Sequence, residues 1–400
     1  MVTSTTSPEI EPVARLATLD AFRGFIMLLL MAEVLQLAEV ARAFPDSAIW
    51  AFLGFHQSHV EWAGLSLHDL IQPGFSFLVG VALPFAVAAR ERKGQSRVHI
   101  VAHAFKRAAI LILLGLFLRS IGKPLTYFTL EDTLTQIGLG YGVLVLLGWQ
   151  GARVRWIAVA AILIAYWLFF ALHALPAPSF DPASVGVPKD WTHGLSGFAA
   201  HWNKNANAAH AFDIWFLNLF PREQSFAFND GGYQTLNFIP TLATMILGAI
   251  AADVLRADTR PWEKVKWLVI AGAIGILGGA ALGWIGLCPV VKRIWTPSWV
   301  LVSGGFCAWI LAVLYTLIDW WGWRRWAFPL LVIGMNSIAA YVLTEVLREP
   351  LRDLFKAHIG LLTMKFVGAT EQPVLSGALV LAILWMVLLH MYRRGIFLKV

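Results

Sequence analysis

The chain has 400 residues, of which 58% are hydrophobic and only 14% charged, whereas soluble domains carry about 25% charged residues. That balance excludes an ordinary soluble protein and predicts an integral membrane protein. The formal charge of +7 calls for no nucleic acid as partner, since cytoplasmic-loop bias and anionic lipid head groups make membrane proteins basic in general.

Apolar runs long enough to cross about 30 Å of hydrocarbon fall at 22–41, 70–89, 101–120, 133–149, 156–175, 236–255, 267–287, 299–320, 327–347 and 373–392. A spanning backbone must satisfy its own hydrogen bonds, and these runs lack the alternation of a lipid-facing barrel strand. The expected fold class is therefore all-α, a polytopic transmembrane helical bundle of about ten helices with a long extracytoplasmic loop between helices 5 and 6. Spans and short connections make up nearly the whole chain, so 1–400 reads as a single membrane domain, with 1–14 a flexible tail and 176–235 a cap loop. The tail carries Glu9 and Glu11 but no basic residue, which is wrong for a signal peptide. Cys288 and Cys307 are the only cysteines, which leaves no disulfide framework and no CxxC motif.

Taken in order, Asp20 and Arg23 lie three apart at the start of helix 1, near enough to pair. Glu33 falls inside that helix, where an ionised carboxylate is costly unless paired, protonated or facing a wet cavity. His59, Glu61, His68 and Asp69 crowd into eleven residues directly before helix 2. Such a cluster is either a plain surface loop or a reactive edge of the membrane. In the sixty-residue loop, far longer than usual connections, Trp191, Trp202, Phe212, Trp215 and Phe216 are too aromatic for a disordered linker. With the amides of Asn203 and Asn205 beside them, they suit either a sugar platform or a cap whose tryptophans pack at the membrane interface. His193, His201 and His210 match no zinc spacing, so no metal site is expected. Lys292 and Arg293 precede helix 8, and Asn336 lies inside helix 9.

With the N-terminus inside, 19 of the 31 Lys and Arg residues fall on the cytoplasmic side and 12 outside. Basic residues favour the cytoplasm, so both termini are expected there, in the inner (cytoplasmic) membrane, with His59 and Asp69 on the far face. An inner basic rim also suits a phosphorylated cofactor, because Arg and Lys are the usual phosphate partners.

RLATLDAFRG at 15–24, HVEWAGLSLHDLIQPGFSFLVGVALPF at 59–85, NFIPTLATMILG at 237–248, PVVKRIWTPSWVL at 289–301 and WRRWAFPLLVIGMNSIAAYV at 323–342 together resemble the heparan-α-glucosaminide N-acetyltransferase family and its bacterial relatives. The resemblance implies acetyl transfer from cytosolic acetyl-CoA to the amine of a glucosamine-type sugar on the periplasmic side. His59 matches the family's essential histidine and Asp69 its following aspartate. Two departures stand out: Glu33 or its neighbours replace an Asn late in helix 1, and Gln136-Ile137 replaces Gln-Arg in helix 4. The candidate catalytic set is His59, Asp69 and Glu33. Acetyl-CoA is expected at Gln136, Lys292, Asn336 and Arg23, and the sugar at Glu61, Trp62, Trp202, Asn203 and Asn205. His68 has no counterpart role in the family, so its loss is expected to matter far less than that of His59. A histidine base with an ordinary pKa near 6.5 can take a proton from an amine at neutral pH, or attack the thioester itself. Other readings are an O-acyltransferase acting on a surface or cell-wall glycan and a sugar or proton transporter. A homodimer and the lipid bilayer complete the expected partners.

Overall fold

The computed structural model describes residues 16–368 and 372–398, so the tail expected at 1–14 lies outside the described residues. The helices are α1 (Ala17–Met31), α2 (Leu37–Ala43), α3 (Ala48–His56), α4 (Ile71–Arg92), α5 (Arg97–Ser120), α6 (Thr133–Gly148), α7 (Ala152–Ala171), α8 (Ala208–Phe216), α9 (Phe238–Arg256), α10 (Pro261–Trp284), α11 (Pro297–Tyr315), α12 (Phe328–Met335), α13 (Ser337–Val367) and α14 (Gln372–Arg393). Local chemistry explains several of the boundaries. Asp132 caps α6 by accepting from the N–H groups of Leu134 and Thr135. Pro261 and Pro297 stand at the first helical positions of α10 and α11, where a missing N–H costs nothing.

Among the described residues, seven helices are long and apolar enough to cross a membrane, and up to nine if each of two bent pairs counts as one span. The sequence expectation of ten is recovered only if α6 is added, and its 16 residues give about 24 Å, short of the hydrocarbon thickness. The two breaks are not readable as apolar gaps. The first span bends by 45° after Leu35, where Gln36 adopts a left-handed φ of 50°. The ninth bends by 72° at Asn336, between α12 and α13.

The spans containing α4 and α9 are each 72% buried over their most apolar windows, against 17–28% for α5, α7, α10 and α14. The first two therefore form the centre of the bundle and the others its lipid-facing wall. At that centre, α4 and α9 cross through glycines. A Cβ on Gly80 would lie 1.7 Å from the carbonyl oxygen of Met245, and one on Gly248 would lie 1.9 Å from that of Phe77. Small residues let membrane helices approach this closely, and any larger residue forces the backbones apart. Gly80→Val is accordingly expected to lower the midpoint of thermal unfolding in detergent by several degrees or to prevent folding, overpacking typically costing about 1–3 kcal/mol. An unchanged midpoint would mean that the crossing is not tight.

The cap between α7 and α9 is folded. It is built from 3-10 turns at Pro182–Val185, Gly197–Trp202 and Leu217–Leu219 together with α8. It closes over the end of the bundle where α4 begins, while Arg92 ends α4 at the opposite end.

Candidate active site

The loop between α3 and α4 wraps around one carboxylate. Asp69, with no exposed surface, accepts hydrogen bonds at Oδ2 from the N–H of Val60 (3.3 Å) and from the N–H and hydroxyl of Ser66 (both 3.0 Å). Its Oδ1 lies 2.8 Å from His59 Nδ1 and 3.4 Å from Lys292 Nζ. A buried charge is tolerated when paired and hydrogen-bonded, and here the bonds also fix the loop. With the Nδ1 proton donated to Asp69, Nε2 of His59 carries the lone pair.

Lys292 reaches this site from 233 residues away in sequence, through a second loop clipped to the first. Ala63 and Val291 form an antiparallel bridge, Gly64 N–H donates to Val290 O (2.9 Å), and Arg293 donates to the carbonyls of Val60 (3.3 Å) and Gly231 (2.6 Å). Lys292 Nζ then sits 3.0 Å from His59 Nδ1 and 3.4 Å from Nε2. Burial of the ring, followed by the charge of Lys292, pushes the His59 pKa down to about 4, against the opposing pull of Asp69. The ring is therefore neutral at pH 7. Lys292, expected at the cofactor, belongs instead to the His59–Asp69 cluster.

A second histidine–carboxylate pair adjoins the first. His68 Nε2 lies 3.0 Å from Glu33 Oε1, the other carboxylate oxygen of Glu33 takes Arg348, and the His68 ring centroid is 4.6 Å from that of His59. Glu33 can reach this place because a 3-10 turn, Ala32–Leu35, interrupts the first span. His68, whose loss the sequence reading expects to matter far less than that of His59, is buried with its ring against that of His59.

A cavity of about 680 Å³ runs beside α4, lined from Phe75 to Arg92 along that helix and by residues of α1, α5, α6, α9 and α13. The stretch from Phe75 to Arg92 corresponds to about 26 Å of helix, beginning about 9 Å past Asp69 at about 1.5 Å per residue. Arg23, Arg92, Arg107 and Arg256 line it, with Thr133, Tyr141, Ser337 and Tyr341 among mostly apolar walls. Arg107 donates to the Tyr141 hydroxyl (3.0 Å), and its Nε is buried without a hydrogen-bond partner.

The remaining sequence candidates fall elsewhere. Arg23 lines the cavity. The Gln136 amide holds the carbonyls of Leu130 and Thr235, and Asn336 holds Ile396 O (2.9 Å) and Leu398 N (3.2 Å); neither is among the lining residues. Trp202 has no exposed surface and stacks on Phe170, its carbonyl accepting from the buried Trp62 indole (3.0 Å). Asn203 closes a loop onto both backbone groups of Leu195, and Asn205 bonds the carbonyls of Val185 and Asn229. Trp62, Asn203 and Asn205 are thus cap architecture, because their side-chain polar groups bond the cap's own backbone, and Trp202 is packed among cap aromatics with its indole N–H buried and without a hydrogen-bond partner. Glu61 is exposed in the loop between α3 and α4. Sequence reading missed Arg348, and it placed Arg92, Arg107 and Arg256 only in the inner basic rim, without bringing the three to one cavity.

Fold and site together define a multi-pass helical membrane protein with a histidine–aspartate–lysine cluster near one end of its central helix and an arginine-lined cavity reaching the other. No protein-family model matches the chain. It is 24% identical to the human heparan-alpha-glucosaminide N-acetyltransferase, over 96% of this chain and 60% of that protein, and 21% identical to the mouse protein of the same name, over 84% and 54%. The chain thus spans little more than half the length of these curated relatives, and it is distantly related to them.

Proposed function

We propose that the protein transfers an acetyl group from cytosolic acetyl-CoA, across the membrane, to the amine of a glucosamine-type sugar on the periplasmic side. The observation that carries this reading is the cavity: an arginine rim at one end and the His59–Asp69–Lys292 cluster just beyond the other. Its volume lies within the about 300–1,000 Å³ of cofactor sites. The donor set fits coenzyme A, since guanidinium groups match phosphates and apolar walls with a few hydroxyls suit a chain carrying two amides. Arg23, Arg92, Arg107 and Arg256 would hold the nucleotide end, and Thr133, Ser337 and Tyr341 would flank the arm. When bound, the thioester supplies the activated acetyl group.

The chain's own residues would do the rest. His59 Nε2 accepts the proton from the attacking amine, and Asp69 holds the ring by its Nδ1–H, the role of the third group in a triad. The Lys292 ammonium offsets negative charge developing on the carbonyl oxygen, as preorganised cations do, and keeps His59 unprotonated before attack. The names of the relatives support N-acetyl transfer to a glucosaminide as the reaction class.

Protein reconstituted in vesicles tests this directly. Labelled acetyl-CoA supplied at the Arg324 face should yield N-acetylglucosamine on the opposite face, with impermeant thiol labelling of single cysteines at 324 and 191 reporting the sides. Label on hydroxyls alone would favour an O-acyltransferase, and glucosamine uptake without acetylation a transporter.

A further inference from the structure

N-acetylation leaves a proton to dispose of. R–NH₃⁺ plus an acetyl thioester gives R–NH–COCH₃, a thiol and H⁺: two N–H bonds break, one proton ends on sulfur and the other must reach bulk water. His59 can carry the first from nitrogen to sulfur. It is badly placed to retain the second, because Lys292 stands 3.0 Å from its ring and like charges repel strongly at that range. The ring beside it is His68, at 4.6 Å and an interplanar angle of 47°.

His68 leads outward through groups of rising exposure. Its side chain is 7% exposed, that of its partner Glu33 28%, and that of Glu349, which Arg348 contacts at 3.5 Å, 52%. Arg348 braces Glu33 from α13, and Glu345 and Tyr341 of the same helix add their fields to the carboxylate's surroundings. A buried histidine and a carboxylate at the edge of a span cost more than an apolar pair unless they do something. Here they connect the site to its surface.

We propose that His68 and Glu33 form a proton-exit pair, positioning residues that act through His59 by taking up the proton released in each turnover and passing it to the outer surface. The inference rests on the acetyl-transfer reading. The proton leaves the acceptor nitrogen to His59, then moves to the His68 imidazole while Glu33 stabilises the resulting imidazolium, and from there to water. No other bond changes.

The test compares wild type with His68→Ala, His68→Asn and Glu33→Gln, at saturating acetyl-CoA and glucosamine, in H₂O and D₂O, with and without free imidazole. Loss of a proton-transfer group costs about 10²-fold or more, so kcat should fall on that order while KM for glucosamine stays within about twofold. The solvent isotope effect should rise above the wild-type value, and imidazole should restore turnover in His68→Ala, which a merely structural role would not allow. Wild-type turnover in the folded variants, or a loss that imidazole and D₂O leave unmoved, would overturn the pair alone. Because Glu33→Gln and His68→Asn keep near-native shape, misfolding of His68→Ala leaves the question decidable. Failure of the wild type itself to acetylate glucosamine would instead overturn the underlying reading, and the pair with it.

Discussion

His59→Ala is expected to reduce acetyl transfer by about 10²–10⁴-fold, the usual contribution of a positioned general base, with folded protein recovered in normal yield. The fold should survive because Asp69 keeps Lys292 and three donors from Val60 and Ser66 after the ring is removed, and because about a third of the His59 side chain is already open to solvent. The same base has a signature in pH. A group whose pKa is held near 4 by burial and by Lys292 is in its active, neutral form at every pH above that value. Once kcat/KM is divided by the fraction of acceptor amine that is unprotonated, its acid limb should therefore fall below about pH 4 rather than near the ordinary ~6.5, about tenfold per unit. Lys292→Met removes the nearby positive charge, so imidazolium becomes easier to form and the limb should move up toward 6.5. An acid limb already near 6.5 in the wild type, unmoved by Lys292→Met, would remove His59 as the titrating base.

Reversing two charges at the cavity rim should be nearly as damaging, but to binding. Hydrogen bonds to charged groups contribute about 1.5–3 kcal/mol each, so Arg107→Glu with Arg256→Glu should weaken coenzyme A by at least about 10²-fold in calorimetry. Wild-type affinity should itself fall between low and high salt, because phosphate pairing at a partly open rim is screened. Arg107 also hydrogen-bonds Tyr141, so each variant needs an unfolding midpoint as control. A Kd within threefold of wild type in folded double variant would mean that the nucleotide lies elsewhere.

Some of this architecture is local and therefore written in the order of residues. Hydropathy sums along the chain, so the helical class and the spans around α4, α5, α7, α9, α10, α11 and α14 follow from apolar run length alone. The His59–Asp69 pair is also a local product, ten residues apart in one loop. The bends at Gln36 and Asn336 escaped because both lie in apolar surroundings, and only packing decides where a backbone departs from a helix. Lys292 was visible as a loop lysine, yet its place 3.0 Å from His59 depends on a bridge between segments more than two hundred residues apart. His68 differs from Asp69 by one position, and which way its ring points is settled by Glu33 across the bundle. Trp202, Asn203 and Asn205 have the chemistry of a sugar site, but the two amides are consumed by the cap's own backbone and the Trp202 ring is fully buried against Phe170. Residue type and spacing determined which elements cross the membrane and which groups could react. Only the tertiary structure decided which of those groups meet, because side-chain contacts depend on how distant helices and loops pack, which no local pattern encodes.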